Sequence, residues 1–193
     1  MASKKRTTII ISGMAASGKS TLAESLSKHY NMRLFVGSDA LRELARKQGY
    51  NPQGVDWWDT PEGMNFLKQR AINHSFDKKV DDIMMEKAKS GNHILTSWTL
   101  PYLKSPGIKI WLEADKDSRV KRMAKRDKIT PDEARKVIDE RDEKNTKLYK
   151  NIYGFTIGEK VDKYCDIVID TDKMDEKQVF EKVVKIIDSK YSV

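Results

Sequence analysis

The sequence predicts an α/β fold, a five-stranded parallel sheet with helices on both faces. Three observations predict it. Five short apolar runs, each bounded by glycine or acidic residues, recur along 193 residues. Longer segments with apolar residues three or four apart separate them. The first run is apolar on consecutive positions, as in a strand buried on both faces. Strand and helix patterns alternate throughout, the signature of a parallel sheet between helix layers. There is no internal repeat, low-complexity tract or interdomain linker, so one domain over 1–193 is expected.

The elements follow in order. Ile9, Ile10 and Ile11 form the first strand, and Gly13 bounds it. Thr21 to Tyr30 reads as a helix, with Leu22, Leu26 and Tyr30 four apart. Leu34 to Val36 is a second strand, and Asp39 to Gln48 a helix that Gly49 ends. A loop holding Pro52, Gly54, Trp57 and Trp58 leads to Pro61, which suits the first turn of a helix. That helix is expected to continue to Ser90, with a kink near Asn73 to Ser75, and to stop at Gly91. Ile94 to Ser97 and Ile108 to Leu112 are the third and fourth strands. Lys116 to Arg126 is a basic helix. Thr130, Pro131 and Glu133 make a strong helix start, with a threonine cap, proline in the first turn and a reciprocal glutamate. This helix runs to Tyr153, before Gly154. Ile167 to Ile169 is the fifth strand, and Asp175 opens the last helix.

Composition narrows the function classes. The single cysteine, Cys165, excludes an internal disulfide framework and a cysteine-cluster zinc site, and fits a reducing, cytoplasmic setting. No apolar run approaches the ~18 residues of a membrane span. The first residues, Met1 to Arg6 followed by Thr7 to Ile11 and Ala15-Ala16-Ser17, imitate a signal peptide. Their apolar stretch is short and broken by Gly13, so a first strand is the better reading. The net charge of +8 favours anionic partners: nucleic acid, anionic membrane or phosphorylated small molecules.

The octet Gly13-Met14-Ala15-Ala16-Ser17-Gly18-Lys19-Ser20 matches G-x-x-x-x-G-K-[ST] completely, between a buried strand and a helix. Each residue type has a physical reason. Glycines permit torsions that aim N–H groups inward at phosphate oxygens. The helix beginning near Lys19 adds the positive end of its dipole. Gly13 and Ala15 to Thr21 (Ala15, Ala16, Ser17, Gly18, Lys19, Ser20, Thr21) are the expected nucleotide-binding set. Lys19 would reach the β- and γ-phosphates of a nucleoside triphosphate, and the Ser20 hydroxyl would bind Mg²⁺.

The loop alone does not say whether the γ-phosphate goes to water, a protein or a small molecule; a short P-loop kinase would need a place for a second anion. Asp39 and Arg42 follow the second strand at the carboxyl edge of the sheet, where ligands bind. Arg42 would pair with an acceptor phosphate. Asp39 would hold Mg²⁺ through water or orient the acceptor, unless it only caps its helix. Arg119, Arg122 and Arg126 lie at i, i+3 and i+7, so three guanidiniums share a helix face. Arg135 and Arg141 follow on the next helix. Two arginine-bearing helices joined by a short turn can close as a lid, neutralising the transferring phosphoryl group and excluding water. The competing reading is a solvated basic face, with Asp117, Asp127 and Asp132 close by.

The chain resembles the archaeal-type cytidylate kinases, within the P-loop nucleoside monophosphate kinases. The resemblance covers nearly the whole length: the phosphate loop, Asp39 to Ala45, Ile110-Trp111-Leu112 with the three arginines, Glu140-Arg141 with Tyr149-Lys150 and Ile152 to Gly154, and Asp166 to Thr171. It implies a three-layer P-loop kinase fold with a helical lid at about 116–153 and an acceptor-binding region at about 36–92. It implies phosphoryl transfer from ATP, with Mg²⁺, to CMP or dCMP, with Arg42 on the acceptor phosphate and Arg141 near both phosphates. Lys19-Ser20 stands where the family commonly has two threonines, and Thr96-Ser97-Trp98-Thr99 where it usually has an acid and then an arginine. Trp98, with Trp57 and Trp58, would stack a base, line an apolar acceptor pocket, or simply pack.

The catalytic set expected is therefore Lys19, Arg119, Arg122, Arg126 and Arg141. Asp39, Arg42, Trp98 and Arg141 are expected at the acceptor, and Ser20 and Asp39 at the metal. Partners are expected to be small nucleotides, with no stable nucleic-acid or membrane partner, and the protein a monomer. A kinase for another small acceptor and a nucleic-acid-binding ATPase are the alternatives. His29, His74 and His93 lack metal-ligand spacing, Tyr149 and Tyr153 read as packing residues, and Cys165 as inert.

Overall fold

The computed structural model describes residues 7–53, 57, 60–72, 75–191 and 193. Five strands are present: β1 (Thr8–Gly13), β2 (Arg33–Val36), β3 (His93–Thr96), β4 (Ile108–Glu113) and β5 (Ile167–Asp170). They form one parallel sheet in the order β2-β3-β1-β4-β5. The helices are α1 (Lys19–Tyr30), α2 (Gly37–Lys47), α3 (Pro61–Ile72), α4 (Ser75–Ser90), α5 (Lys116–Asp127), α6 (Pro131–Tyr153), α7 (Val161–Tyr164) and α8 (Glu176–Lys190).

The isoleucine run explains the central strand. Ile9 and Ile11 pack with Leu22 and Leu26 of α1 and Val183 and Ile187 of α8. Ile10 faces the opposite layer, with Ala40 and Leu44 of α2 and Phe76 and Met84 of α4. All three isoleucines are fully buried, each contributing roughly 1.5–3 kcal/mol. Successive strand residues point to opposite faces, so a continuous apolar run requires cover on both.

This order positions the site. β1 lies between β3 and β4, with Ile11 level with both Thr96 and Ile110, and Gly13 level with Leu112. The loops after β3 and β4 therefore leave on either side of the loop after β1. The crevice between them is where ligands bind in an open α/β sheet.

Local sequence accounts for the helix starts. Thr130 accepts from the Glu133 N–H, and Glu133 accepts from the Thr130 N–H at 2.8 Å, with Pro131 in the first turn. Asp175 and Gln178 make the same reciprocal cap on α8, and Asp115 caps α5 by accepting from the Ser118 N–H. The structure sharpens these expectations at several boundaries. The segment Pro61–Ser90 is helical over Pro61–Ile72 and Ser75–Ser90, and the kink expected near Asn73 to Ser75 falls on Asn73 and His74, which lie outside the described residues. The second helix begins at Gly37, not Asp39, which makes Asp39 a third-position residue whose carboxylate accepts from the Val36 N–H at 2.9 Å. The one-turn α7 was not anticipated, because four residues carry no readable period. Cys165 precedes β5 rather than starting it; burial pushes its thiol up to about 12, so it stays protonated. Among the described residues no helix is long and apolar enough to cross a membrane.

Candidate active site

The phosphate loop is shaped by its glycines. Gly13 has φ of 145°, and a Cβ there would lie 2.5 Å from the Leu112 carbonyl oxygen and 2.6 Å from Ser17 Oγ. No other residue fits without moving β4. Gly18 turns through φ of 97° directly into α1, whose first turn has no side-chain cap and no acidic residue. The orphan N–H groups of that helix end are thus left for an anion. Ser17 Oγ is buried and without a partner in the loop.

A cleft of about 850 Å³ opens over this loop. Ala16 to Thr21 form its floor, Arg122 and Arg126 of α5 one wall, and Thr171, Met174 and the start of α8 the other. Arg122 is held to that second wall, donating to Thr171 Oγ1 at 2.9 Å and to the Thr171 carbonyl at 2.6 Å. Thr171 Oγ1 in turn donates to the Glu113 carbonyl at 2.8 Å, so the ends of β4 and β5 fix the position of Arg122. Arg126 is exposed and paired with Asp127. The spacing predicted three guanidiniums on one face; the tertiary structure distributes them. Arg119 is buried beneath the loop, Arg122 is clamped at the cleft wall, and Arg126 stands at its mouth.

Behind the loop, positive charge converges. Lys19 Nζ donates to the Met14 carbonyl at 2.6 Å and lies 5.3 Å from the centre of the Trp98 ring. Burial, followed by the nearby Arg141 and Arg119 guanidiniums, lowers its ammonium to about 7, with Asp142 opposing. Arg119 donates from Nη1 to Asp142 at 2.8 Å and to the Ala15 carbonyl at 3.3 Å. Asp142 was not singled out in the sequence. It sits among alternating charges on α6, and nothing local marks it as the one acid that turns inward. The two arginines disfavour the charge on Lys19, an opposition that a multiply charged anion at the loop would relieve.

The acceptor-side candidates are placed differently. Asp39 is engaged with the Val36 N–H, as a helix-capping residue is. Arg42 Nη1 donates to the Pro52 carbonyl at 3.3 Å, bridging α2 to the loop beyond it. Trp57 is buried among Tyr50 and Phe66 and donates to Glu62 at 2.9 Å, so it packs. Trp58 lies outside the described residues. Trp98 is half-buried beside Lys19. Arg135 pairs with Asp117 on the exposed side. His74 lies outside the described residues, and no group of three metal-ligating side chains occurs among the described ones.

One polar cluster on this side was missed in the sequence. Asp81 of α4 accepts from Thr99 Oγ1 at 2.6 Å and from the Tyr153 hydroxyl at 2.8 Å. Ser97 Oγ contacts Thr99 Oγ1 at 3.1 Å, and Ser12 donates to the Ser97 carbonyl at 2.6 Å. Burial raises the Asp81 carboxyl to about 6, against the two hydroxyl donors that favour its charge. Tyr153 also stacks with Tyr149 and Phe155, the packing role expected of it.

Residues 8–173 match the model of the cytidylate kinase-like family. The chain belongs to that family. It is 33% identical to a cytidylate kinase from Pyrococcus abyssi over 187 residues, covering 95% of this chain and 94% of the relative. A cytidylate kinase from Methanocaldococcus jannaschii is 31% identical over 188 residues, covering 94% and 97%. Among solved structures, an uncharacterized protein from Eubacterium ventriosum superposes with a TM-score of 0.68 at 20% identity, covering 96% of this chain and all of that one. A shikimate kinase from Acinetobacter baumannii superposes at 0.55 with 17% identity, covering 96% and 95%. At such identities the superpositions establish the fold, that of P-loop kinases, and the family model establishes the membership.

Proposed function

We propose that this protein transfers the γ-phosphoryl group of ATP to a nucleoside monophosphate, CMP or dCMP first. The observation that carries the proposal is a glycine-shaped loop opening on an uncapped helix start, with Lys19 and the buried Arg119 bonded against it, in a chain of the cytidylate kinase-like family. Relatives over nearly the whole length bear the name cytidylate kinase.

The residues fit a nucleoside triphosphate. The bare first turn of α1, the unpartnered Ser17 hydroxyl and the glycine-only turn at Gly13 leave polar capacity in the loop. Gly13 and Ala15–Thr21 would cradle the phosphates, and the cleft beside Arg122 and Met174 would take the base. Lys19 would leave the Met14 carbonyl to contact the β- and γ-phosphates. Mg²⁺, when bound, supplies further charge neutralisation at those phosphates; Ser20 would hold it, and Asp39 would act through water with the oxygen not used by Val36. Arg119, Arg122, Arg126 and Arg141 would stabilise the moving charge as α5 and α6, the lid at about 116–153, close. The acceptor, held within about 36–92 by Arg42 and bordered by Trp98, attacks through a phosphate oxygen. That oxygen is already anionic, so positioning suffices and no strong base is needed. The phosphorus–oxygen bond to ADP breaks as the new one forms. We place this activity in a cytoplasmic monomer acting on free nucleotides, in one domain.

Coupled ADP release over CMP, dCMP, UMP, AMP and GMP tests the reading. Turnover of CMP or dCMP above the others is expected; no turnover of any monophosphate would overturn it. A second reading, a kinase for a non-nucleotide acceptor, is favoured by one observation: Trp98, not an arginine, stands beside Lys19 at the end of β3. A screen of phosphorylated and hydroxylated metabolites decides between them.

A further inference from the structure

We infer that Asp142 is a positioning residue of the phosphoryl transfer, holding Arg119 against the phosphate loop so that its guanidinium meets the transferred group in one orientation. The inference rests on the activity proposed above.

Three separate segments meet at one nitrogen. Arg119 is on α5, Asp142 on α6 and Ala15 in the phosphate loop, and Arg119 Nη1 donates to both of the others. Arg119 is buried, and the Asp142 side chain is 16% exposed. The pair differs from the other ion pairs on these helices. Lys116–Asp139, Arg135–Asp117, Glu140–Lys144 and Glu143–Lys147 all lie on exposed faces, where such pairs contribute little.

A simple clip between two helices would use the full fork of the guanidinium against both carboxylate oxygens. Here Arg119 Nε and Asp142 Oδ1 are buried and have no partner. Leaving such buried groups unpaired is costly. The Arg119 Nε–H is donor capacity left open beside a loop built for phosphate, which a bound anion can accept, while Asp142 Oδ1 can accept only from a donor such as an ordered water.

The charge arrangement points the same way. Arg119 and Arg141 disfavour the charge on Lys19, and Asp142 favours it. The neighbouring acids Glu140 and Glu143 are already paired outward with Lys144 and Lys147. Asp142 is therefore the acid of this stretch that turns to Arg119, and its charge also favours the ammonium form of Lys19.

The test is steady-state kinetics with MgATP and CMP on Asp142→Asn, Asp142→Glu, Arg119→Ala and the Asp142→Asn/Arg119→Ala double variant, with Tm measured for each. Asp142→Asn is expected to lower kcat at saturation by about 10- to 100-fold, the scale of a misplaced catalytic group, while KM for CMP moves by less than about threefold. Asp142→Glu should recover most of kcat. The double variant should be no slower than Arg119→Ala alone, because the two residues act as one unit. A kcat within about twofold of wild type for Asp142→Asn, or losses that multiply in the double variant, would overturn the inference. So would a lowered Tm with kcat per folded molecule unchanged. Should Asp142→Asn fail to fold, Asp142→Glu decides: its effect on kcat vanishes in an Arg119→Ala background if the assignment is right and persists if it is wrong. A wild type that turns over no monophosphate would fail the proposed function by itself; the same comparison, made on slow MgATP hydrolysis, would then decide the role of Asp142.

Discussion

On the α5 side of the phosphate loop, polar groups stand without protein partners or crowd together with like charge: Ser17 Oγ, Arg119 Nε, the bare N-terminus of α1, and Lys19 against two arginines. On the α4 side, the polar groups satisfy one another. Asp81 takes hydroxyls from Thr99 and Tyr153, Asp39 takes the Val36 N–H, and Arg42 reaches the Pro52 carbonyl. Both regions flank the same strand. One keeps unused bonding capacity, and the other uses its capacity to hold α2, α4, β3 and the end of α6 in register. A polyanion needs many donors and a positive field, which a glycine-rich turn and a helix end supply through the backbone. Discrimination of an acceptor needs shape, which packed side chains supply.

Four experiments break or sharpen that contrast. The largest effect is expected for Lys19→Ala: about a 10³-fold loss of kcat/KM with an unchanged far-ultraviolet circular dichroism spectrum, since Lys19 contributes charge and not core packing. Retained turnover would mean that the donor side does not depend on the convergent cations.

Next in size is Asp81→Asn, read as stability against pH. The carboxyl is raised from an ordinary 3.8 to about 6 in the folded protein. A raised acid is bound to more protons when folded, so stability falls as pH rises from about 4 to about 6 and stays at its lower level above that. Urea unfolding across this range should show Asp81→Asn gaining roughly 2–3 kcal/mol on the wild type between the two limits. Parallel curves would show that the acceptor-side cluster carries no such penalty.

Arg42→Ala should raise KM for the acceptor by about tenfold, the loss of one charge-assisted contact, and KM for ATP far less. Equal effects would remove the separation of the two sides. The smallest change is expected for Arg126→Ala. Its partner Asp127 is a solvated neighbour, so the unfolding midpoint should not move, while KM for ATP rises a few-fold at most. A large loss of kcat would place Arg126 deeper in the reaction than its resting position.

Legibility divided along the same line. Gly13 to Ser20 could be read directly, because a phosphate loop is built from backbone torsions and one short segment contains all of them. Thr130, Pro131 and Glu133 announced α6 for the same reason, and the structure has that cap. Asp142 and Asp81 could not be read. Their roles depend on partners 23, 18 and 72 residues away, and in the sequence each is one acid among many. The equal spacing of Arg119, Arg122 and Arg126 promised three equivalent groups. Sheet order made them unequal, because the end of β5 clamps one and the phosphate loop covers another.

The sequence by itself determined the parallel sheet, the phosphate-binding loop and the family resemblance that the family match supports. Strand burial and loop torsion are local demands, met by isoleucine runs and glycines wherever the chain places them. Only the tertiary structure decided which charges work together. Lys19, Arg119, Arg141 and Asp142 come from three segments, and their energies depend on burial and separation. No spacing along the chain encodes those until the sheet has brought β1, α5 and α6 to a common edge.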